Sequence, residues 1–204
     1  MNLKIFKTKC GPTEKIFVSI LGIFLLLSIL NATFSTTSLS VTIIAYSILT
    51  ITLFILFYTS YLDFKTMEID NWVSLSLILL LLTVNLFLYF FLNPEVGLVI
   101  SDKFSYVPYD NFLLALVLAL IFLLIVVVSK EKAMGAGDIR IALIVGLLIG
   151  YNNVIVWLYI TVFTALIYGL LLGYKKKNFK KLKIPFAPFM ILGAIVSLLV
   201  DMYI

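Results

Sequence analysis

The chain has 204 residues, of which 63% are hydrophobic and only 12% are charged, and its mean hydropathy is +1.20. Several continuous apolar runs are long enough to cross a bilayer, so the composition predicts an all-α, polytopic bundle of transmembrane helices and excludes a soluble domain or a membrane β-barrel. The absence of histidine excludes a Ser-His-Asp triad and histidine-ligated zinc or haem, and the single cysteine excludes an internal disulfide.

The first apolar segment, about residues 16–30, follows a basic N-terminus. A run of about fifteen residues fits either the core of a signal peptide or a short first span. Because no clear small-residue cleavage site follows this segment, we predict that it is retained. Residues 1–38 are therefore assigned to a basic N-terminus with one additional transmembrane helix.

Further apolar segments predict a six-helix core over residues 39–204. A short polar turn separates its first two spans, and a longer loop, Asn93–Asp110, precedes the third. Asp110-Asn111 is predicted to cap that third span. The six spans are predicted at Leu39–Tyr61, Trp72–Leu92, Asn111–Ser129, Ala133–Gly150, Val154–Tyr174 and Ile184–Ile204.

The fourth core span needs to start near Ala133 to reach the length that a bilayer requires. This start places an acidic residue, Asp138, about one turn inside the membrane boundary, where an ionisable side chain is a candidate functional residue. Asn152 and Asn153 are predicted to form a tight turn between the fourth and fifth spans.

Basic residues test this topology, since cytoplasmic loops of membrane proteins are enriched in lysine and arginine. If the N-terminus is cytoplasmic, fourteen of the fifteen basic residues fall on the cytoplasmic side, and only Lys103 lies outside. The lysine-rich segment 175–183 is predicted to anchor this orientation and to contact anionic lipid headgroups of the bilayer. Since topology explains the net charge of +5, no nucleic-acid partner is predicted.

Two aspartates, Asp63 and Asp138, fall on the predicted cytoplasmic face at the ends of different spans. Facing carboxylates can share one proton, because like charges a few ångströms apart do not both ionise easily. The ionised member can then take a proton from water while the protonated member polarises a peptide carbonyl. The structural alternative is a solvated helix end for Asp63 and a helix N-cap or first-turn acid for Asp138.

Three segments together resemble the type IV prepilin peptidases and the archaeal preflagellin peptidases. Gly135–Asp138 is similar to their Gly-x-Gly-Asp motif, Asp63–Asn71 to the segment around their first aspartate, and Ile184–Phe189 to a stretch that opens a late helix in bacterial members. The resemblance implies that Asp63 and Asp138 are the catalytic pair. The residues that match or support the motifs are Lys65, Asn71, Gly135, Gly137, Arg140, Pro185 and Pro188.

The resemblance also implies an activity and a substrate class. Family members are membrane aspartic endopeptidases that remove a short basic leader from membrane-anchored pilin-like or archaellin-like precursors at the cytoplasmic face, just before a hydrophobic helix. This chain has no counterpart of the tetracysteine and methyltransferase segment of the bacterial bifunctional enzymes. We therefore expect cleavage without N-methylation and without a metal or cofactor.

Some residues depart from the family pattern or lie beside the aspartates. Asp70 stands where the family usually has proline, which predicts a less rigid start of the next span. Arg140 replaces a frequent lysine, and both it and Lys65 lie two residues from an aspartate, where a cation can influence the charge state. Three acids on the same predicted face are weaker candidates for contact with a basic leader: Glu68, Asp70 and Glu131.

Two other interpretations remain open at the level of the sequence. Presenilin-like and signal-peptide-peptidase-like proteases also use Gly-x-Gly-Asp, but they usually have Tyr-Asp at the first site and Pro-Ala-Leu near the last helix. This chain has Leu62-Asp63 and Pro185-Phe-Ala-Pro188 instead. A non-catalytic assembly factor or a small transporter would use the acids as ion or proton ligands. Transport predicts polar residues that continue across the bilayer, and Asn85 is the clearest of the few.

Overall fold

The computed structural model describes residues 39–67, 69–91, 98–99, 105–131, 134–177 and 184–203. Within these ranges the protein is a bundle of five helices, which confirms the predicted all-α membrane fold. The predictions for residues 1–38 and for Glu68 fall outside the described residues. The helices are α1 (Leu39–Thr66), α2 (Asn71–Phe91), α3 (Pro108–Ser129), α4 (Ala136–Lys176) and α5 (Ala187–Tyr203).

The predicted long loop between α2 and α3 contains two short strands. β1 (Leu98–Val99) pairs with β2 (Ser105–Tyr106) in antiparallel orientation, with Leu98 opposite Tyr106. The sequence did not predict this pairing, because two residues are too few to display the alternation by which a strand is recognised.

The helices expose large apolar side chains, as expected of a bundle surrounded by lipid. Val128 is 74% exposed and Leu171 is 65% exposed. In the described part of the chain, three ranges are long and apolar enough to cross a membrane: Ser47–Thr66, Pro108–Ser129 and Ala136–Lys176. Two shorter apolar ranges lie within α2 and α5, Asn71–Phe87 and Ala187–Val200.

α4 lies at the centre of the bundle, between α3 and α5. Ile141 in its first half is fully buried, and Gly146 lies against α3 so closely that a Cβ there would be 2.5 Å from the Cα of Ala115. In the second half of α4, the indole N–H of Trp157 donates a hydrogen bond to the carbonyl of Met190 on α5, at 2.9 Å. These contacts hold both neighbouring helices against α4.

α4 turns back on itself at Gly150. A straight helix would separate Asp138 from Tyr168 by about 45 Å. Both residues nevertheless reach the same end of α1, since Asp138 interacts electrostatically with Asp63 and the Tyr168 ring contacts Phe64. Between the two ends of α4, Gly150 is the one residue with non-helical backbone angles, φ 69° and ψ 172°.

The predicted turn at Asn152-Asn153 is therefore wrong. Both asparagines lie within helical structure, and the chain reverses two residues earlier. Asparagine is a frequent turn former, but the angles at Gly150 belong to a region of backbone space that is open almost only to glycine. The two limbs of α4 on either side of Gly150 correspond to the fourth and fifth predicted core spans.

The prediction that Asp110-Asn111 caps the third core span is also wrong. α3 begins earlier, at Pro108, and its N-cap, Val107, makes no side-chain cap bond. Asn111 is buried instead, and its Nδ2 donates a hydrogen bond to the carbonyl of Leu147 at 3.2 Å. Since Leu147 lies just before the break in α4, this amide satisfies a backbone group where the regular helical pattern ends.

Gly150→Ala is expected to lower the free energy of unfolding by roughly 2 kcal/mol or more. The substitution forces an L-residue into glycine-only angles, which costs about 1–3 kcal/mol. The added Cβ would also lie 2.7 Å from the Oδ1 of Asn111. Gly169→Ala is the matched control, because its Cβ would meet only the flexible Cδ1 end of Ile184. Denaturant unfolding in detergent measures both variants, and equal stability would contradict the assignment of the turn to Gly150.

Candidate active site

Asp63 lies in the last turn of α1, which continues to Thr66 beyond the predicted end at Tyr61. The helix closes on Met67, whose N–H donates to the carbonyl of Asp63 at 2.9 Å and whose φ is 54°. The side chain of Asp63 is only 5% exposed. It is therefore buried within the bundle and is not a solvated helix-end residue.

Asp138 lies in the first turn of α4. Its Oδ2 accepts a hydrogen bond from the backbone N–H of Gly135 at 3.1 Å, and its own N–H donates to the Gly135 carbonyl at 3.1 Å. This is the capping arrangement that the structural alternative predicted. Capping alone does not require burial, because an exposed acid performs it equally well, yet Asp138 is 8% exposed.

The two carboxylates approach one another where three helices end. Asp138 and Asp63 are close enough to interact electrostatically, and the N–H of Ala187, the first residue of α5, donates to the Asp63 carboxylate. The carboxylate of Asp63 thus faces the N-terminus of α5, and the carboxylate of Asp138 lies at the N-terminus of α4. Free N–H groups and the helix dipole stabilise negative charge at such positions. Among the described residues, Asp63 Oδ2 is a buried atom without a hydrogen-bond partner.

The two glycines of the Gly-x-Gly-Asp motif have different surroundings. A Cβ at Gly137 would lie 2.9 Å from the Cδ1 and 3.1 Å from the Cβ of Ile69, in the segment that follows the first aspartate. A Cβ at Gly135 would have its nearest neighbour at 3.9 Å, which is an ordinary contact. Gly137 therefore allows the two aspartate segments to touch.

Arg140 connects the same two segments by hydrogen bonds. Its guanidinium donates to the Oδ1 of Asn71 and, at 3.3 Å, to the Oγ of Ser74 on α2. The sequence singled out Arg140 and Asn71 but missed Ser74, which is fully buried. The one signal that pointed to Ser74 was its position three residues after Asn71, which places both side chains on the same face of the helix.

Arg140→Met and Asn71→Ala are each expected to lower the endopeptidase activity that the motifs predict by about tenfold, because both remove the hydrogen bond between Arg140 and Asn71 that links α4 to α2. The double variant should lose little more than either single variant, so that the pair couples by roughly 1 kcal/mol or more. Arg140→Lys, which keeps a donor and the charge, serves as the matched control and should lose less than Arg140→Met. Multiplicative losses in the double variant would sink the proposed link.

Asp70 caps α2 in place of the proline that the resemblance led us to expect. Its Oδ1 accepts a hydrogen bond from the N–H of Trp72 at 2.9 Å, and its carbonyl accepts from the N–H of Ser74 at 3.1 Å. A capping aspartate satisfies free donors at the helix start, which proline cannot do with its side chain. The helix start is therefore held by hydrogen bonds.

The remaining charged candidates lie on the surface. The Lys65 ammonium is 5.7 Å from the centroid of the Tyr61 ring, one turn back on the same helix. Glu131 is exposed and adopts a φ of 59°, two residues after the end of α3. Neither residue makes a described contact with the aspartates, and Glu68 lies outside the described residues.

Pro185 and Pro188 are buried on either side of Ala187. Pro188 occupies the second position of α5, where its missing N–H has no helical partner to lose. The neighbouring N–H of Ala187 remains available and donates to Asp63. The two prolines therefore lie on either side of the residue whose N–H donates to the carboxylate of Asp63.

The comparisons with known proteins agree with this geometry. The chain matches the type IV leader peptidase family over residues 50–170, a range that includes both Asp63 and Asp138. Searches of curated proteins and of solved structures give no significant match. Since the match covers more than half of the chain, the resemblance predicted from the motifs is confirmed: this protein belongs to the type IV leader peptidase family and is a membrane protease.

Proposed function

We propose that the protein is an aspartic endopeptidase in which Asp63 and Asp138 together activate a water molecule. The observation that carries this proposal is a pair of buried carboxylates from distant segments that are close enough to interact electrostatically, each hydrogen-bonded to the N–H of a helix N-terminus. Burial of an acid costs free energy unless it is paired, and neither carboxylate has a described lysine or arginine as its partner. Unpaired acids in such a position therefore favour a functional role.

The chemistry follows from one proton shared between the two carboxyl groups. The ionised member accepts a proton from water as the water oxygen attacks the peptide carbonyl carbon, while the protonated member donates its proton to the carbonyl oxygen. Collapse of the tetrahedral intermediate breaks the C–N bond as the carboxyl group that took the proton from water passes it to the leaving amine. The other carboxylate recovers its proton from a hydroxyl group of the intermediate, so that the pair again shares one proton. The N–H groups of Gly135 and Ala187 hold the carboxylates in place during these steps.

The substrate proposed is a membrane-anchored pilin-like or archaellin-like precursor with a short basic leader, cut at the cytoplasmic membrane face. Exposed basic residues at this end of the bundle, Lys65, Lys130 and Lys175–Lys177, support a cytoplasmic location by the positive-inside rule. Two exposed acids near the same end, Asp70 and Glu131, are proposed contacts for the leader. The product is proposed to leave without N-methylation.

A cleavage assay tests this function. Membranes that contain the full-length protein are mixed with pilin-like precursors from the same genome, and the mass and the N-terminal sequence of the product are determined. We expect loss of the basic leader in a single cut and an unmethylated new N-terminus. Precursors that stay intact in the presence of membranes containing the folded protein would contradict the proposal. Cleavage at a position other than just before the hydrophobic helix would contradict it as well.

A further inference from the structure

The indole of Trp157 joins the second limb of α4 to the start of α5. Its N–H donates to the carbonyl of Met190, in the first turn of α5, at 2.9 Å, and the Trp157 side chain is only 1% exposed. A hydrogen bond is directional, whereas apolar contact is not. The bond between Trp157 and Met190 therefore fixes the height of α5 against α4 more narrowly than the surrounding aliphatic side chains do.

A second contact fixes the same register one turn further along α5. Gly193 lies against the second limb of α4 so closely that a Cβ there would overlap the Oγ1 of Thr161 and lie 3.0 Å from the carbonyl oxygen of Trp157. Thr161 is buried, and within the described part of the chain its Oγ1 has no hydrogen-bond partner. The contact is therefore purely steric, and only a residue without a side chain fits there.

An aromatic ring from α3 supports both the indole and the residue that precedes α5. The Phe122 ring lies 6.3 Å from the Trp157 ring and 6.5 Å from the Phe186 ring, and Phe122 is buried. The carbonyl of Phe186 accepts from the N–H groups of Phe189 at 3.1 Å and Met190 at 3.2 Å, so this residue opens the helix. Three elements thus meet at Trp157: α3, α4 and the start of α5.

The part of α5 that these contacts hold carries the donor for the first carboxylate. Ala187, whose N–H donates to Asp63, is fully buried and lies three residues before Met190. Three residues of helix span only about 4.5 Å, so a shift of α5 at Met190 carries the Ala187 N–H with it. Since N–H···O distances in proteins vary by only about half an ångström, even a small shift weakens the bond to Asp63.

We propose that Trp157 is a positioning residue for the peptidase reaction, because its bond to Met190 holds the Ala187 N–H against the carboxylate of Asp63. This inference rests on the proposed function, since it assumes that Asp63 acts on the scissile peptide bond. Trp157 acts through α5 and takes no part in the chemistry itself. Its loss should therefore lower kcat, which depends on the geometry of the carboxylates, and leave KM nearly unchanged.

Trp157→Phe removes the indole N–H and keeps an aromatic ring beside Phe122. It should lower kcat per folded molecule roughly three- to tenfold and leave KM within about twofold of wild type. Trp72→Phe is the matched control, because it makes the same chemical change at an indole that is 81% exposed, and it should keep the wild-type kcat. An unchanged kcat in Trp157→Phe, or an equal loss in both variants, would overturn the positioning role.

Gly193→Ala displaces α5 without altering the indole, so it tests the same inference if Trp157→Phe folds poorly. The new Cβ would overlap the Oγ1 of Thr161, and kcat should fall at least about threefold with little change in KM. Adding Thr161→Ala removes the overlapping oxygen and should restore most of the lost kcat. Full activity in Gly193→Ala would mean that the register of α5 does not govern the reaction and would overturn the inference.

Hydrogen exchange at the Ala187 amide separates positioning from a general loss of stability. NMR of the full-length protein in detergent, labelled with ¹⁵N-alanine, follows this amide together with that of Ala142, which is buried in the first limb of α4. In Trp157→Phe the Ala187 amide should exchange at least about threefold faster than in wild type, while the Ala142 amide changes less.

The outcomes distinguish the positioning role from the protease function. A lower kcat with unchanged exchange at Ala187 would overturn the positioning role and leave the protease function intact. Equally faster exchange at Ala187 and Ala142 would assign the effect to general destabilisation and would also overturn it. If wild-type membranes cleave no precursor, the proposed function fails, and the catalytic role of Trp157 fails with it.

Discussion

Asp63→Asn and Asp138→Asn are each expected to lower the rate of precursor cleavage by about 10² to 10⁴-fold, the usual contribution of a positioned acid or base. Asparagine keeps the size of the side chain and can still accept the N–H bonds from Ala187 and Gly135. It can neither take a proton from water nor donate an acidic proton. The fall should therefore appear in kcat, while KM and the amount of folded protein change little.

Asp110→Asn is the matched control for these two variants. Asp110 is an exposed carboxylate at the start of α3, so the same chemical change there should leave kcat within about twofold of wild type. The initial rates of all three variants are compared at equal amounts of protein in the membrane. Substantial activity in either active-site variant would remove that aspartate from the chemistry.

Gly137→Ala is expected to lower activity at least about tenfold and to destabilise the protein. Alanine is favoured over glycine in a helix by about 1 kcal/mol, so helix propensity alone predicts a more stable variant. The crowding against Ile69, with Cβ–Cβ at 3.1 Å, predicts the opposite, because the segment that follows Asp63 has to move away from α4. Measurements of cleavage activity and of unfolding in detergent decide whether the substitution stabilises or destabilises the protein.

Gly135→Ser is the matched control, since its Cβ meets nothing closer than 3.9 Å and serine is a favoured N-cap residue. It should keep most of the wild-type activity. Adding Ile69→Ala to Gly137→Ala removes the Cγ1 and Cδ1 atoms of Ile69 that crowd the new Cβ. The double variant should therefore regain part of the activity. A fully active and more stable Gly137→Ala variant would mean that this glycine does not set the spacing of the two segments.

Hydropathy located the described helices closely. α2 and the end of α3 differ from the predicted spans by no more than about one residue, and α1 continues five residues further. Hydropathy succeeds here because a span must be a long apolar run whatever other elements pack against it. The motifs also identified the two aspartates that the fold brings together. Basic residues predicted that the ends of α1 and α4 share one face, and the contacts among Asp63, Asp138 and Ala187 agree with this arrangement.

The features that sequence reasoning missed depend on contacts between distant residues. The sequence predicted a reversal close to this point, but nothing local assigns it to Gly150 rather than to Asn152 and Asn153. Asn111 looks like a helix cap until its amide is found on the carbonyl of Leu147. Likewise, the Pro185–Pro188 segment gives no sign by itself that it positions a donor for Asp63. Such roles become visible only once the helices are packed.

The most direct test of the proposed catalytic pair is a double-mutant cycle on cleavage rate. Single-turnover cleavage of one precursor is measured for wild type, Asp63→Asn, Asp138→Asn and the double variant. If the two carboxylates act as one unit, the double variant should be about as slow as the slower single variant. Losses that multiply in the double variant would contradict a shared role, and so would a single variant that cleaves at the wild-type rate.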